Sequence, residues 1–451
     1  MAKKNILWIV SDQHRAQALG INGDANVNTP NLDMLAKTGV NFTDAVSGTP
    51  LCCPFRGSML TGVYPHRAVP GHERQLNPKQ PTVANVFNDN GYDTFYLGKW
   101  HLDGFKEATG RAAMHIIPPE RRGGFKTWIG YENNNSQWDC WVHGGEGKNA
   151  FHERLKGYET DCLTDRMIGY IDERGQKRRE GDDEPFFAVL SVQPPHDPYI
   201  APARNMKSHN AGTVLFRENV PNVGHIRERA SQELSGYYAM IENLDENIGR
   251  ILESLRNNDL YFDTHILFFS DHGDMLGSHG QFRKTTAYEE SVRVPFIISG
   301  ENPMYYNGRT AGNIPGVFIN HADIAPTSLG LCGISAPEWM QGTDYSHYRL
   351  PENTRFEEPD SAYFQSIIPT MHGDSVDKPW RGVITADGWK YACFPGMPWL
   401  LFDLNTDPHE QVNLAHNAAY RDRLLAMNAK VAEWMEKLGD SFKLPVIEAL
   451  H

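Results

Sequence analysis

Five short apolar runs punctuate the chain, at Ile6–Val10, Tyr92–Leu97, Phe186–Val192, His265–Phe269 and Pro295–Ser299. Each is too short for a helix and shows no steady polar alternation, so each reads as a strand covered on both faces. Helical segments lie between them. Thr29 followed by Pro30 signals a helix start and Gly39 its end. Thr82 to Asn90 reads as a second short helix, closed by Gly91. Leu234, Tyr237, Ile241, Leu244, Ile248, Ile251 and Leu255 recur at helical spacing and predict one long helix with its stripe on the core. This alternation predicts an α/β fold: a large central mixed, mostly parallel sheet flanked by helices on both faces.

The pattern changes after about residue 350. Arg381–Thr385, Lys390–Phe394 and Trp399–Asp403 read as short antiparallel strands, with a hairpin signal at Asp387-Gly388. An amphipathic helix follows from Ala419 to Leu438. We therefore expect a catalytic domain over 1–355 and a smaller C-terminal α+β subdomain over 356–451. Residues 103–160 and 200–230 show no clear period and read as long irregular loops. The charged run from Arg174 to Glu184 reads as a solvated turn. There is no internal repeat.

Composition narrows the picture. No apolar run approaches the length of a membrane span. The apolar segment after Met-Ala-Lys-Lys is too short for a signal-peptide core, so a cytoplasmic location is expected. A formal net charge of −13 disfavours nucleic acid and anionic membranes as partners, yet leaves room for a local basic pocket that holds a small anion. The six cysteines lie at Cys52, Cys53, Cys140, Cys162, Cys332 and Cys393, without disulfide-framework spacing, and the last four read as buried thiols.

Candidate chemistry falls where four strands end. Ile6–Val10 is followed by Asp12 and Gln13, and Tyr92–Leu97 by Lys99 and His101. Phe186–Val192 is followed by His196 and Asp197, and His265–Phe269 by Asp271 and His272. Ligands of open α/β sheets bind beyond the carboxyl ends of the strands. The set supplies two carboxylates, an amide oxygen and an imidazole for a divalent cation. With Lys284 it also supplies two lysines for a tetrahedral oxyanion.

A nucleophile is found in Pro50-Leu51-Cys52-Cys53-Pro54-Phe55-Arg56, followed by Leu60-Thr61-Gly62. This resembles the C-x-P-x-R signature of the formylglycine-dependent sulfatases, members of the alkaline phosphatase superfamily. The resemblance continues through Thr29 to Asp33, Gly98-Lys99-Trp100-His101, His196-Asp197-Pro198-Tyr199, Ser270-Asp271-His272-Gly273, Gly280 to Lys284, Arg293-Val294-Pro295 and Leu401 to Leu404 with Asp407-Pro408. It implies a sulfuric-ester hydrolase in which a maturase oxidises Cys52 to formylglycine. Register selects Cys52, because only Cys52 has proline two residues on and arginine four residues on.

The resemblance also assigns roles. Asp12, Gln13, Asp271 and His272 would hold one divalent cation together with residue 52. Oxygen donors favour calcium or magnesium, and the imidazole admits manganese or zinc. Arg56 would hold the formylglycine hydroxyl. Lys99 and Lys284 would bind sulfate oxygens, His196 would assist the leaving oxygen, and His101 would be the base that frees sulfate. Asp197 reads as a residue that positions the His196 loop. Asp274 and His279 adjoin the metal pair as outlying pocket residues. Trp138, Trp141 and His143 would line a sugar or aromatic subsite, or pack within their loop. The expected substrate is a small sulfate monoester of a sugar or another small organic alcohol.

Two departures from the family pattern stand out. Phe55 occupies a position that is usually serine. Asp12-Gln13 and Asp271-His272 replace the commoner acidic and Asp-Asn pairs, and resemble the branch with phosphonate monoester hydrolases and choline-sulfatase-like enzymes. A phosphonate monoester or phosphodiester hydrolase is therefore the alternative function.

Overall fold

The computed structural model describes residues 3–300, 312–350, 352–368, 370 and 376–448. Its strands are β1 (Asn5–Ser11), β2 (Val40–Phe42), β3 (Asp93–Lys99), β4 (Thr127–Tyr131), β5 (Trp141–Gly144), β6 (Phe151–Arg154), β7 (Phe186–Ser191), β8 (Thr264–Ser270), β9 (Phe296–Gly300), β10 (Gly312–Ile314), β11 (Ser361–Ser366), β12 (Trp380–Thr385), β13 (Trp389–Phe394) and β14 (Met397–Asp403). The helices are α1 (Pro30–Thr38), α2 (Cys52–Thr61), α3 (Pro65–Ala68), α4 (Val83–Asp89), α5 (Glu159–Arg179), α6 (Ala203–Met206), α7 (Gly224–Asn257), α8 (Glu289–Val292), α9 (Ile324–Leu331) and α10 (Arg421–Leu438).

A ten-stranded sheet runs in the order β10-β2-β9-β8-β1-β7-β3-β4-β5-β6. The stretch β8-β1-β7-β3-β4 is parallel throughout. Antiparallel pairings at β2–β9, β8–β9, β4–β5 and β5–β6 make the sheet mixed toward both edges. Side chains alternate across each strand. Ile6, Trp8 and Val10 of β1 pack with Met59 of α2, Phe87 of α4 and Leu329 of α9 on one face. Leu7 and Ile9 pack with Leu35 of α1, Met167 of α5 and Leu244 of α7 on the other. Two such faces explain why the central strands read as unbroken apolar runs. Trp8 places its indole N–H on Ser328 Oγ at 2.8 Å, so this buried polar atom is satisfied.

A second sheet, β11-β12-β13-β14, is antiparallel. One face, with Tyr363, Val383, Tyr391 and Leu401, is covered by Leu424, Met427, Val431 and Trp434 of α10. The other, with Phe364, Trp380 and Phe402, packs on Val46, Ala287, Val292 and Phe318 of the main body. The expected fold class therefore holds, including the small antiparallel sheet beside the large one.

Three segments differ from the sequence reading. Residues 103–160 carry β4, β5 and β6, which extend the large sheet. The charged run from Arg174 is the last turns of α5, and Arg174 itself is buried. β11 adds a fourth strand to the small sheet. No helix among the described residues is long and apolar enough to cross a membrane.

Candidate active site

The carboxyl ends of β8, β1, β7 and β3 lie side by side, and α2 points its first turn at them. Cys52 opens α2, where the exposed backbone N–H groups of a helix start favour negative charge. Pro54 is harmless in that first turn, since its missing N–H would lack an intrahelical partner there. Arg56, four residues on, shares the face of Cys52. Phe55 points away and stacks on His321, with ring centroids 5.7 Å apart, inside the core. The unusual residue in the signature is thus a packing residue outside the site.

Four donors converge on one point. Cys52 Sγ lies 3.6 Å from Asp12 Oδ1 and 3.1 Å from His272 Nε2. His272 Nε2 is 3.7 Å from both Asp12 Oδ1 and Asp271 Oδ1. The His272 Nδ1 sits 2.9 Å from Gly273 O, which holds the proton on Nδ1 and leaves the Nε2 lone pair facing the carboxylates. Asp271 Oδ1 accepts the N–H groups of Gln13 and His272, at 3.0 and 2.9 Å. Its Oδ2 is buried without a hydrogen-bond partner. Donor atoms of Asp12, Cys52, Asp271 and His272 all lie within 4.8 Å of one another. Two carboxylates and an imidazole in a buried cluster, with one carboxylate oxygen that faces only Arg56 at 3.5 Å, fit a divalent cation.

Cations surround this cluster. Arg56 reaches Asp12 Oδ2 at 3.1 Å and is held by Lys99 O at 3.0 Å and Ser191 Oγ at 2.7 Å. Lys99 Nζ lies 2.7 Å from Asp12 Oδ2. Burial alone would raise the Asp12 carboxyl, but Lys99, with His196, Arg56 and His272, outweighs it and holds Asp12 well below the usual range. Burial likewise pulls Lys99 down, and Asp12 more than restores it. Lys284 Nζ donates to Gln13 Oε1 and to His196 Nε2, each at 2.8 Å. His196 Nδ1 is 2.8 Å from Asp197 O. Burial, then Lys284, push His196 down to about 3, so it is neutral and accepts from the lysine.

Gln13 is at the expected strand end, and its amide lies between Lys284 and Asp274. Its Oε1 faces Lys284, and its Nε2 donates to Asp274 Oδ2 at 2.6 Å. An ammonium on one side and a carboxylate on the other fix which atom is oxygen. Asp274 thereby orients Gln13. Asp197 does what the sequence reading expected of it, lying between His196 and Arg283 Nε at 3.5 Å. His279 lies elsewhere, stacked on Tyr288 and hydrogen-bonded with Asn219. His143 Nε2 accepts from Ile117 N at 2.8 Å and so serves packing, Trp141 lies against His152, and Trp138 is half exposed over Tyr158.

His101 follows β3 in a left-handed backbone conformation, φ 61°, as does Gln13 after β1, φ 68°. Such strained residues persist only where the surroundings hold them, and both are buried just beyond their strand ends. Gly98 precedes His101, on β3, for a steric reason: a Cβ there would meet Ser191 O at 2.0 Å. Burial, then Lys99 and His72, hold His101 neutral, well below its ordinary value. Sequence reading missed Ser191, which anchors Arg56, because a lone serine at a strand end carries no local signal. It also missed His72, which packs edge-on against His101 with centroids 5.3 Å apart.

Known proteins resemble this chain in sequence and fold. The sulfatase family model matches residues 4–334, and the C-terminal model of N-sulphoglucosamine sulphohydrolase matches 277–437. An ulvan-active sulfatase of Formosa agariphila is 34% identical over 98% of this chain and 83% of the relative. An endo-4-O-sulfatase of Bacteroides thetaiotaomicron is 28% identical over 91% of this chain and 87% of its own length. The crystal structure of YidJ from Bacteroides fragilis, described as a candidate sulfatase, superposes with a TM-score of 0.84 at 28% identity, over 98% of this chain and 97% of the other. The family implies a metal ion and a formylglycine made from cysteine, for which Cys52 and its three neighbours are the candidates. The chain belongs to the sulfatase family of the alkaline phosphatase superfamily and is a sulfuric-ester hydrolase.

Proposed function

We propose that the substrate is a sulfated saccharide and that the ester is cleaved at residue 52 after a maturase has made it formylglycine. The names of the two relatives, one ulvan-active and one an endo-4-O-sulfatase, support the saccharide. Cys52 is 1% exposed on a helix packed in the core, so its oxidation precedes folding. Hydrated formylglycine supplies one hydroxyl to attack sulfur and a second whose deprotonation releases sulfate.

The chain's own residues do the rest. Asp12, Asp271 and His272 would hold the cation, which their carboxylate majority suits to calcium. Arg56 is pinned by Ser191 Oγ and Lys99 O with one nitrogen toward Asp12, so it can steady a hydroxyl at residue 52. Lys99 and Lys284 bind sulfate oxygens from two sides. Neutral His196, its proton on Nδ1 at Asp197 O, accepts from Lys284 at Nε2 and so holds that ammonium toward the ester. Neutral His101 accepts the proton whose loss frees sulfate.

The observation that carries this reading is Lys284. A buried ammonium whose two partners are both neutral, an amide oxygen and an imidazole nitrogen, needs an anion to offset it. The test is kcat/KM on sulfated saccharides, an aryl sulfate, choline sulfate and a matching aryl phosphonate monoester. Saccharide sulfates should lead. A faster phosphonate would assign the chain to the alternative function, and a faster choline sulfate would overturn the saccharide.

A further inference from the structure

Among the described residues, a second fully buried donor cluster adjoins the proposed chemistry and shares only His101 with it. Cys53 follows Cys52 on α2, turned about 100° around the helix, so its thiol leaves the first cluster and meets a different set of neighbours. Cys53 Sγ lies 3.7 Å from His72 Nδ1. The His72 and His101 rings meet edge to face at 84°. One donor atom from each of the three residues lies within 4.8 Å of the other two, and all three residues are buried. His101 Nδ1 is buried without a hydrogen-bond partner.

The geometry points to a second cation site, made by Cys53, His72 and His101, that takes a thiophilic divalent ion such as zinc and inhibits the enzyme by occupying His101. One thiol and two imidazoles are the donor chemistry of zinc, with a fourth position left open. A sulfur and a nitrogen on one tetrahedral zinc are about 3.6 Å apart, which the Cys53–His72 separation already matches. Binding replaces the thiol proton, which goes to solvent, and the two imidazoles are neutral, with His72 pushed down to about 4 by burial, then by Lys284 and Lys99. The two sites then differ in hardness. Carboxylates dominate the first and favour calcium, whereas sulfur and nitrogen fill the second and favour zinc. Metal on His101 Nδ1 forces the remaining ring proton onto Nε2, and a protonated Nε2 cannot act as the base.

The inhibition rests on the base role proposed for His101; the binding does not. The test therefore reads both. Calcium-loaded, matured enzyme is dialysed against zinc, and cadmium is added to the Cys52→Ala variant to read the thiolate-to-metal charge-transfer band without a thiol at residue 52. We expect one zinc per chain beyond the retained calcium, a cadmium band, and loss of hydrolysis as zinc binds. Cys53→Ala, or independently His72→Asn, should remove that zinc and raise the half-inhibiting zinc concentration at least about tenfold. Without zinc, kcat/KM of Cys53→Ala should stay within about twofold. Two variants and a circular dichroism check separate loss of the site from loss of the fold. Equal zinc uptake by wild type and both variants, or zinc that only replaces calcium one for one, would overturn the site. Zinc bound as expected without inhibition would leave the site standing and reject His101 as the base.

Discussion

The charges around Cys52 and the charges around Lys390 are equally buried but differently paired. At Lys390 the ammonium lies 2.8 Å from Glu289 Oε1 and 2.7 Å from Glu410 Oε1. Glu289 Oε2 takes Arg293 Nε at 2.7 Å, and Glu410 Oε2 accepts Glu289 N at 2.7 Å. Every oxygen of those two carboxylates is engaged, and the contacts join β13 and the segment after β14 to α8. Around Cys52, Asp271 Oδ2 faces only Arg56 Nη2, at 3.5 Å and without a hydrogen bond, and Lys284 has only neutral partners. Both clusters carry the cost of desolvating charge. One meets it within the protein and fastens the small sheet. The other leaves it to be met by a cation and an anion from outside. Saturation, rather than burial, separates the structural cluster from the functional one.

The largest effect should come from the unsaturated cluster. Cys52→Ala should lower kcat by at least about three orders of magnitude relative to the matured wild type, because no other group replaces the nucleophile. Thermal unfolding should barely move. A large loss of stability would mean that the cluster also holds the fold, and the contrast would collapse. Lys390→Met should do the reverse. It leaves Glu289 and Glu410 facing each other in the core and should cost about 3 kcal/mol or more in denaturant unfolding. Activity per folded molecule should stay within about twofold. Strongly reduced kcat in the folded fraction would show that the small sheet sets the active site.

His101→Ala should fall between these two. Turnover should drop roughly a hundredfold, with stability unchanged. Rapid mixing should show one equivalent of alcohol released at nearly the wild-type rate, followed by slow steady turnover. A uniformly slow first turnover would place His101 in the attack on sulfur instead.

How much was legible in the sequence follows from the same physics. The parallel core could be read because strands covered on both faces must be apolar along their length. β4, β5 and β6 could not, because they sit toward an edge, where positions such as Thr127 and Arg154 face water and the period is lost. α5 was hidden by its charges. Its apolar contacts are few, Leu163, Met167 and Ile171 among them, and Arg174 in the charged run is buried against Glu184 O. The residues at four strand ends were legible because a strand's end fixes where the next residues go. The setting of Gln13 was not, since its amide is decided by Lys284 and Asp274, both more than 250 positions away. The meeting of Cys53, His72 and His101 was equally invisible, because three segments supply one donor each.

The smallest effect is a matter of pH. Burial raises the Glu410 carboxyl to about 7 from its ordinary 4.5; Lys390 opposes this, and Glu289 and Glu290 reinforce it. Arg293 is committed to Glu289, so Glu410 is the member of the pair that holds a proton first. A raised folded value means that its contribution to stability is complete below about pH 4.5 and is lost as pH climbs through 7. Wild-type stability should therefore fall between pH 5 and 8. Asp323 and Glu159, both also pushed to about 7 by burial, add to that fall. Glu410→Gln carries no charge to titrate and should reduce the fall by about 1 kcal/mol, leaving the share of Asp323 and Glu159. His196, held near 3, does not titrate in this window, so the substitution should leave the pH profile of kcat/KM unchanged. If Glu410→Gln leaves the slope of stability intact, then Lys390 keeps both carboxylates ionised throughout. The Lys390 cluster would then be more fully saturated than its proton affinity suggests, and the contrast with the cluster at Cys52 would be sharper still.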